Sequence, residues 1–240
     1  MSEQIRISGK NLGAFALDDA CPRCLWIKLR LGNRLPFQVF PGIFSSIDSF
    51  TKHVVHGWFD RHGSAPSWLG ALGDIRGYVE PPHWAKLQWV DPATNVLLTG
   101  APDGVLVRED GALAIVDYKT AKYTGNQDEL FPMYATQLNS YAVIGRETGL
   151  LSPVVALALV YCEPTTGKSA AGDEVNLRPD GFAMGFRATV HPVDLRPETV
   201  PPLLARVREL FDLPKPPAGR EGCRNCQSVA DLVAAVTAGA

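Results

Sequence analysis

Gly100-Ala101-Pro102-Asp103-Gly104-Val105-Leu106-Val107-Arg108-Glu109-Asp110-Gly111-Ala112-Leu113-Ala114-Ile115-Val116-Asp117-Tyr118-Lys119 is the stretch on which the reading of this chain turns. Two apolar runs rich in Val, Leu and Ile flank Glu109-Asp110-Gly111, the pattern of a hairpin with a short turn. With the turn centred near Asp110, residues whose numbers sum to about 220 face one another, so Asp103 stands opposite Asp117. Side chains alternate along a strand, which puts Asp117 and Lys119 on one face.

Facing carboxylates at the end of an apolar hairpin repel, and a half-buried pair is costly unless positive charge lies between them. A divalent cation answers that need. Hard carboxylate oxygens suit magnesium or manganese, and such an ion polarises a phosphodiester and activates water. Lys119 beside it would orient or deprotonate the attacking water, or stabilise charge on the phosphate.

Three ordered pieces carry a family resemblance: Gly100-Ala101-Pro102-Asp103, then Asp117-Tyr118-Lys119 after the hairpin, then Gln137-Leu138-Asn139-Ser140-Tyr141. The set resembles the PD-(D/E)XK nuclease signature, and most closely its RecB-like branch, which includes the RecB-like exonucleases of CRISPR adaptation. The resemblance implies an α/β fold with a restriction-endonuclease-like central mixed sheet flanked by helices. It implies a metal-dependent deoxyribonuclease, an exonuclease acting on DNA ends or single strands. Asp103, Asp117, Asp48 and the Tyr118 carbonyl would hold one or two magnesium or manganese ions, Lys119 would position the water, and Gln137 and Tyr141 would contact the nucleic-acid backbone or brace the metal site. Asp48 enters as the acid that an early helix supplies to the metal in this family, with His53 and His56 as rivals. A lone Asp near a helix start also reads as a favourable dipole or cap interaction.

Two Cys-x-x-Cys pairs, Cys21-Pro22-Arg23-Cys24 and Cys223-Arg224-Asn225-Cys226, offer four thiolates, enough to close a tetrahedral site. A shared centre would join the N- and C-terminal segments, residues 11–30 and 213–230, like a cross-link over a long loop. The resemblance makes a 4Fe-4S cluster attractive, yet the family pattern is one early cysteine and three late ones. The two-and-two arrangement departs from it and keeps zinc open. Cys162, at the end of an apolar run, reads as a core residue.

The chain has 240 residues, 46% hydrophobic and 20% charged, with a formal net charge of -2. It is long enough to bury a sizeable core, expected as a single domain with residues 83–162 as its catalytic centre. The charge balance gives no global pull toward nucleic acid. The first residues lack the apolar core of a signal peptide and the longest apolar run is too short to span a bilayer, so a cytoplasmic protein with no membrane partner is expected.

Apolar spacing predicts helices over 11–30 with an interruption near Pro22, over 45–59 after a break at Phe40-Pro41-Gly42, over 131–148, and over 197–213. Residues 61–82 read as a Gly/Pro-rich connection. Strands are expected over 84–90 and 96–100, leading into the central hairpin as one antiparallel sheet, and over 153–162 and 182–193. Residues 121–129 and 165–179 read as polar loops, and 231–238 as a short final helix or a frayed tail.

Gly-x-Ser-x-Gly, a P-loop, a dinucleotide fingerprint and a His-Glu-x-x-His helix are all missing from the sequence. Two other classes fit the same residues. One is a nucleic-acid- or protein-binding module with a vestigial nuclease site and a structural four-cysteine metal, docking onto a protein partner in a DNA-processing complex. The other is a Cys-x-x-Cys redox protein.

Overall fold

The computed structural model describes residues 3–33, 41–123 and 129–238; Phe40 of the expected break and residues 124–128 of the first polar loop lie outside them. In chain order the elements are β1 (Ile5–Ser8), α1 (Gly9–Gly13), α2 (Pro22–Arg30), α3 (Gly42–His62), β2 (Ile75–Val79), β3 (Gln88–Asp91), β4 (Val96–Thr99), β5 (Gly104–Arg108) and β6 (Leu113–Lys119). There follow α4 (Phe131–Thr148), β7 (Val154–Pro164), α5 (Lys168–Ala171), β8 (Leu177–Arg178), β9 (Gly181–Phe182), β10 (Phe186–Val193), α6 (Val200–Asp212) and α7 (Arg224–Thr237).

The central sheet has five strands in the order β10-β7-β6-β5-β2. It is mixed, as expected: β6 and β7 run parallel, joined by α4, while the other neighbours are antiparallel. Strand periodicity divides its two faces. Val105, Ile115, Leu157, Leu159 and Tyr161 pack with α4, α6 and the N-terminal segment. Their neighbours Leu106, Ala114, Val116, Tyr118, Ala158, Val160 and Cys162 pack with Val55 and Phe59 of α3. Both faces of β6 and β7 are therefore covered, which is why these strands read as continuous apolar runs.

The hairpin has the expected register: Gly104, Val105, Leu106 and Val107 face Val116, Ile115, Ala114 and Leu113. Arg108 N–H meets the Ala112 carbonyl, Gly111 N–H meets the Arg108 carbonyl, and Gly111 sits at φ +81°, where a side chain would be strained. Asp110 Oδ1 accepts the Ala112 N–H at 3.0 Å and fixes the tip.

Several expectations are corrected. Strands β3 and β4 do not extend the hairpin sheet; they form a second sheet, in the order β1-β4-β3, in which β4 runs parallel to β1. Ile5 and Ile7 are buried and take the free edge of β4, while the edge of β5 is taken by β2. Strand β2 lies in the stretch expected to be unstructured; Gly77 and a register shift between Ile75 and Gly77 weaken its alternation. The first helical region is split into α1, a short 3-10 turn and α2, and α7 is longer than the expected final helix. The second polar loop holds α5 and β8, which pairs with β9 just beyond it, so the strand expected from Phe182 begins only at Phe186.

Helix α4 is seated by close approach. A Cβ on Gly100 would lie 2.7 Å from Tyr141 Cδ1 and 3.2 Å from Ile144 Cδ1, so only glycine lets the chain entering the hairpin pass this helix. Gly100→Ala is expected to lower stability by about 1–3 kcal/mol in urea or thermal unfolding. Gly57→Ala, at an exposed helical position with nothing within 4 Å of its added Cβ, is expected to raise it by roughly 0.5–1 kcal/mol.

Candidate active site and four-cysteine centre

Beyond the last ladder pair, Gly104–Val116, the two hairpin strands end in Asp103 and in Asp117-Tyr118-Lys119. Asp103 Oδ2 accepts the Tyr118 N–H at 3.0 Å, which fixes the first acid against the backbone of the second strand. Asp117 and Lys119 share one strand face and form an ion pair. Lys119 Nζ also lies 4.4 Å from the centre of the Tyr134 ring on α4.

Asp117 is 2% exposed. Burial and the neighbouring Asp103 push its carboxyl up to about 6, against the opposing pull of Lys119. Gln137 Nε2 donates to Asp117 Oδ1 at 2.8 Å and to Tyr141 Oη at 2.8 Å. The one-turn spacing on α4 thus makes a chain from acid to amide to phenol. Burial raises the Tyr141 phenol above its ordinary range and keeps it neutral.

Lys52 joins the site with no sequence motif to mark it. Its Nζ lies 2.8 Å from Asp48 Oδ2 and 2.9 Å from Asp103 Oδ1, bridging α3 to the hairpin. Burial works against its charge, but the two carboxylates more than offset that and hold its pKa above the usual lysine value. The Asp48–Lys52 pair was readable as an i,i+4 spacing; that Asp103 reaches the same ammonium depends on how α3 packs on the sheet.

Asp48, Asp103, Asp117, Tyr118 and Lys119 line one cleft of about 620 Å³, together with Gln137 and Tyr141. The expected site residues of the hairpin, α3 and α4 are therefore brought together. The histidine rivals stand elsewhere: His53 is exposed, and His56 stacks on Tyr78 at 3.9 Å with Glu80 beside it. Cys162 is buried in the core, its thiol pushed up to about 11 by burial.

The donor set fits a hard divalent cation. Gln137 Oε1 is buried with no hydrogen-bond partner among the described residues, and Asp117 Oδ2 has only Lys119. A hydrated cation offers water protons to such acceptors and charge to the paired acids. This arrangement can hold a phosphodiester between fixed ammonium groups and carboxylate-bound metal.

The cysteines form the second centre. Cys21 and Cys24 enter α2, and Cys223 and Cys226 enter α7. Their sulfur atoms all lie within 4.8 Å of one another, with Cys21–Cys226 at 3.4 Å and Cys24–Cys223 at 3.6 Å. The Arg220 N–H points at Cys21 Sγ from 3.2 Å. Burial alone would raise the Cys21 thiol, but this and the Cys24 backbone contact outweigh it and bring it to about 6, while burial and the neighbouring thiols raise Cys24 and Cys226, so one thiolate is favoured in the metal-free cluster. Around the centre, Arg30 donates to the Phe211 carbonyl at 2.6 Å and Arg23 to the Pro217 carbonyl at 3.0 Å. No described helix is long and apolar enough to cross a membrane.

The raised Asp117 acid has a measurable consequence. Its ionisation costs the metal-free fold free energy above about pH 6, and that cost vanishes below the unfolded carboxylate value. Asp117→Asn removes it, so the variant is expected to gain up to about 2–3 kcal/mol near pH 8, roughly half of that near pH 5 and little near pH 4, read from urea midpoints in chelator. Equal effects across this pH range would contradict the assignment.

A comparison with curated proteins finds no match. The family model described as the PD-(D/E)XK nuclease superfamily matches residues 50–230, about three quarters of the chain. The matched span begins after Cys21, Cys24 and Asp48, and takes in Lys52, the hairpin, α4 and the later cysteine pair. The match takes in the hairpin acids, the lysine and the mixed sheet, and the chain belongs to the PD-(D/E)XK nuclease superfamily.

Proposed function

We propose that this nuclease-fold protein is a metal-dependent deoxyribonuclease of the RecB-like kind, an exonuclease acting on DNA ends or single strands. The observation that carries the reading is the meeting of Asp103 and Asp117 with Lys119, Gln137 and Tyr141 in one cleft. Asp103, Asp117 and the Tyr118 carbonyl would hold magnesium or manganese, with Asp48 at the margin of the acidic set; the ion supplies Lewis acidity and an activated water.

Lys119 is fixed by Asp117 and Tyr134, so its ammonium meets the charge that develops on the phosphate without reorganising. Gln137 holds Asp117 in place and presents its free Oε1 to the reacting water. Phe44, Tyr134 and Tyr161 also border the cleft.

The four thiols support zinc. A tetrahedral ion with bonds of about 2.3 Å sets its sulfurs about 3.8 Å apart. Three of the six sulfur separations, at 3.4–3.6 Å, lie close to that, and all are within 4.8 Å. A four-iron cubane spreads its thiolates by the width of the cluster, more than the 4.8 Å span here.

One observation favours the second reading, a binding module whose nuclease site is vestigial: the Lys52 ammonium already bridges Asp48 and Asp103. Labelled single-stranded and duplex DNA with manganese separates the two. Cleavage is expected, falling by about a hundredfold or more in Lys119→Ala and Asp117→Asn. Undiminished cleavage in these variants would exclude the site, and binding without turnover would favour the module.

The cysteine centre carries a separate expectation. Helix α7 has no buried residue, and a 14-residue helix is marginal alone. Cys223→Ser, or removal of zinc by chelator, is therefore expected to free α7 before the core, seen as loss of amide protection over 224–237 with β5–β7 unchanged. Elemental analysis should return zinc, without the visible absorption of an iron-sulfur cluster.

A further inference from the structure

Against two acids of the cleft, Asp48 and Asp103, stands a fixed positive charge to which the proposed reaction assigns no task. Lys52 Nζ lies 2.8 Å from Asp48 Oδ2 and 2.9 Å from Asp103 Oδ1. The other oxygen of Asp103 is taken by the Tyr118 N–H at 3.0 Å. Two carboxylates from different elements, α3 and the entry to β5, are thus already joined by a cation carried on α3 itself. At 28% exposure for the lysine and 20% for Asp103, the pair is half withdrawn from water, where a charge contact is stronger than on an open surface.

A two-metal phosphodiesterase places its ions about 3.5–4 Å apart, each on shared carboxylates. In this cleft Asp103 is the acid that would have to be shared. A second divalent ion bridging Asp48 and Asp103 would need the position that the ammonium fills. A nearby ion would be repelled by it, and moving Lys52 aside breaks two charge-assisted contacts.

We propose that Lys52 is a built-in cation standing in for a second divalent ion, so that the cleft takes a single ion at Asp103 and Asp117. Asp48 then acts as a positioning residue, holding the ammonium one helical turn away rather than binding the ion itself. This rests on the nuclease reading of the same cleft. It gives the site a second positive charge at all metal concentrations, where a bound ion would come and go.

The test counts manganese bound to the full chain, with the cysteine centre left loaded, by calorimetry and electron paramagnetic resonance. Wild type and Lys52→Arg are expected to bind one ion with an isolated-ion spectrum. Lys52→Ala is expected to bind two, with the broadened spectrum of a spin-coupled pair. Lys52→Met keeps the packing of the stem and replaces the alanine variant should that fail to fold. One ion in both wild type and the neutral variant, or two ions in wild type, overturns this inference and leaves the nuclease reading standing. No manganese in either protein overturns both.

Discussion

The enforced closeness of Asp103 and Asp117 is the constraint around which this molecule is arranged. Backbone pairing from Gly104–Val116 to Val107–Leu113 leaves the two acids no freedom to separate. The Tyr118 N–H then pins Asp103 from the opposite strand. Such a pair in a partly dry cleft needs compensation. Among the described residues it comes from two ammonium groups on different elements: Lys119 on the strand face of Asp117, and Lys52 reaching across from α3.

That compensation depends on both layers of the fold. Alternation along β6 sends Ile115 and Asp117 toward α4 and Val116 and Tyr118 toward α3. Helix α4 can therefore hold Asp117 through Gln137, while α3 delivers Asp48 and Lys52 to Asp103. Neither helix alone completes the site. The apolar side chains that bury the sheet fix the angle from which each polar group arrives, which gives the cleft its preorganisation.

The cysteine centre solves a different problem. Helix α6 buries Val200, Leu204, Val207 and Phe211, but α7 buries nothing, so hydrophobic packing alone gives little reason for the last segment to stay. Four thiols brought within 4.8 Å provide it, helped by Arg23 and Arg30 reaching to the Pro217 and Leu213 carbonyls of the linker after α6. The centre works at the junction of the chain ends, away from the hairpin acids, and its chemistry of soft sulfur ligands is distinct from the hard oxygens of the cleft.

The hairpin, its register, α4 and β7 were legible in the sequence because they rest on local rules: a short Gly-containing turn, period-two alternation, helical apolar spacing and a continuous buried run. The same rules placed Asp103, Asp117, Lys119, Gln137 and Tyr141 at positions that share a strand or helix face, and the paired Cys-x-x-Cys motifs pointed to one centre. Strands β1 and β2, and the separation of β3 and β4 into their own sheet, were not legible, since a short strand is stabilised by the edge it meets and that edge lies far away in sequence. Lys52 was hidden for the same reason. Its spacing from Asp48 is written in the helix, but its contact with Asp103 spans about fifty residues and exists only once α3 and the sheet have packed. The sequence determined which groups could lie side by side along one element, and only the tertiary structure decided which charges from different elements would meet, because that choice is made by the burial of apolar faces that carry those charges with them.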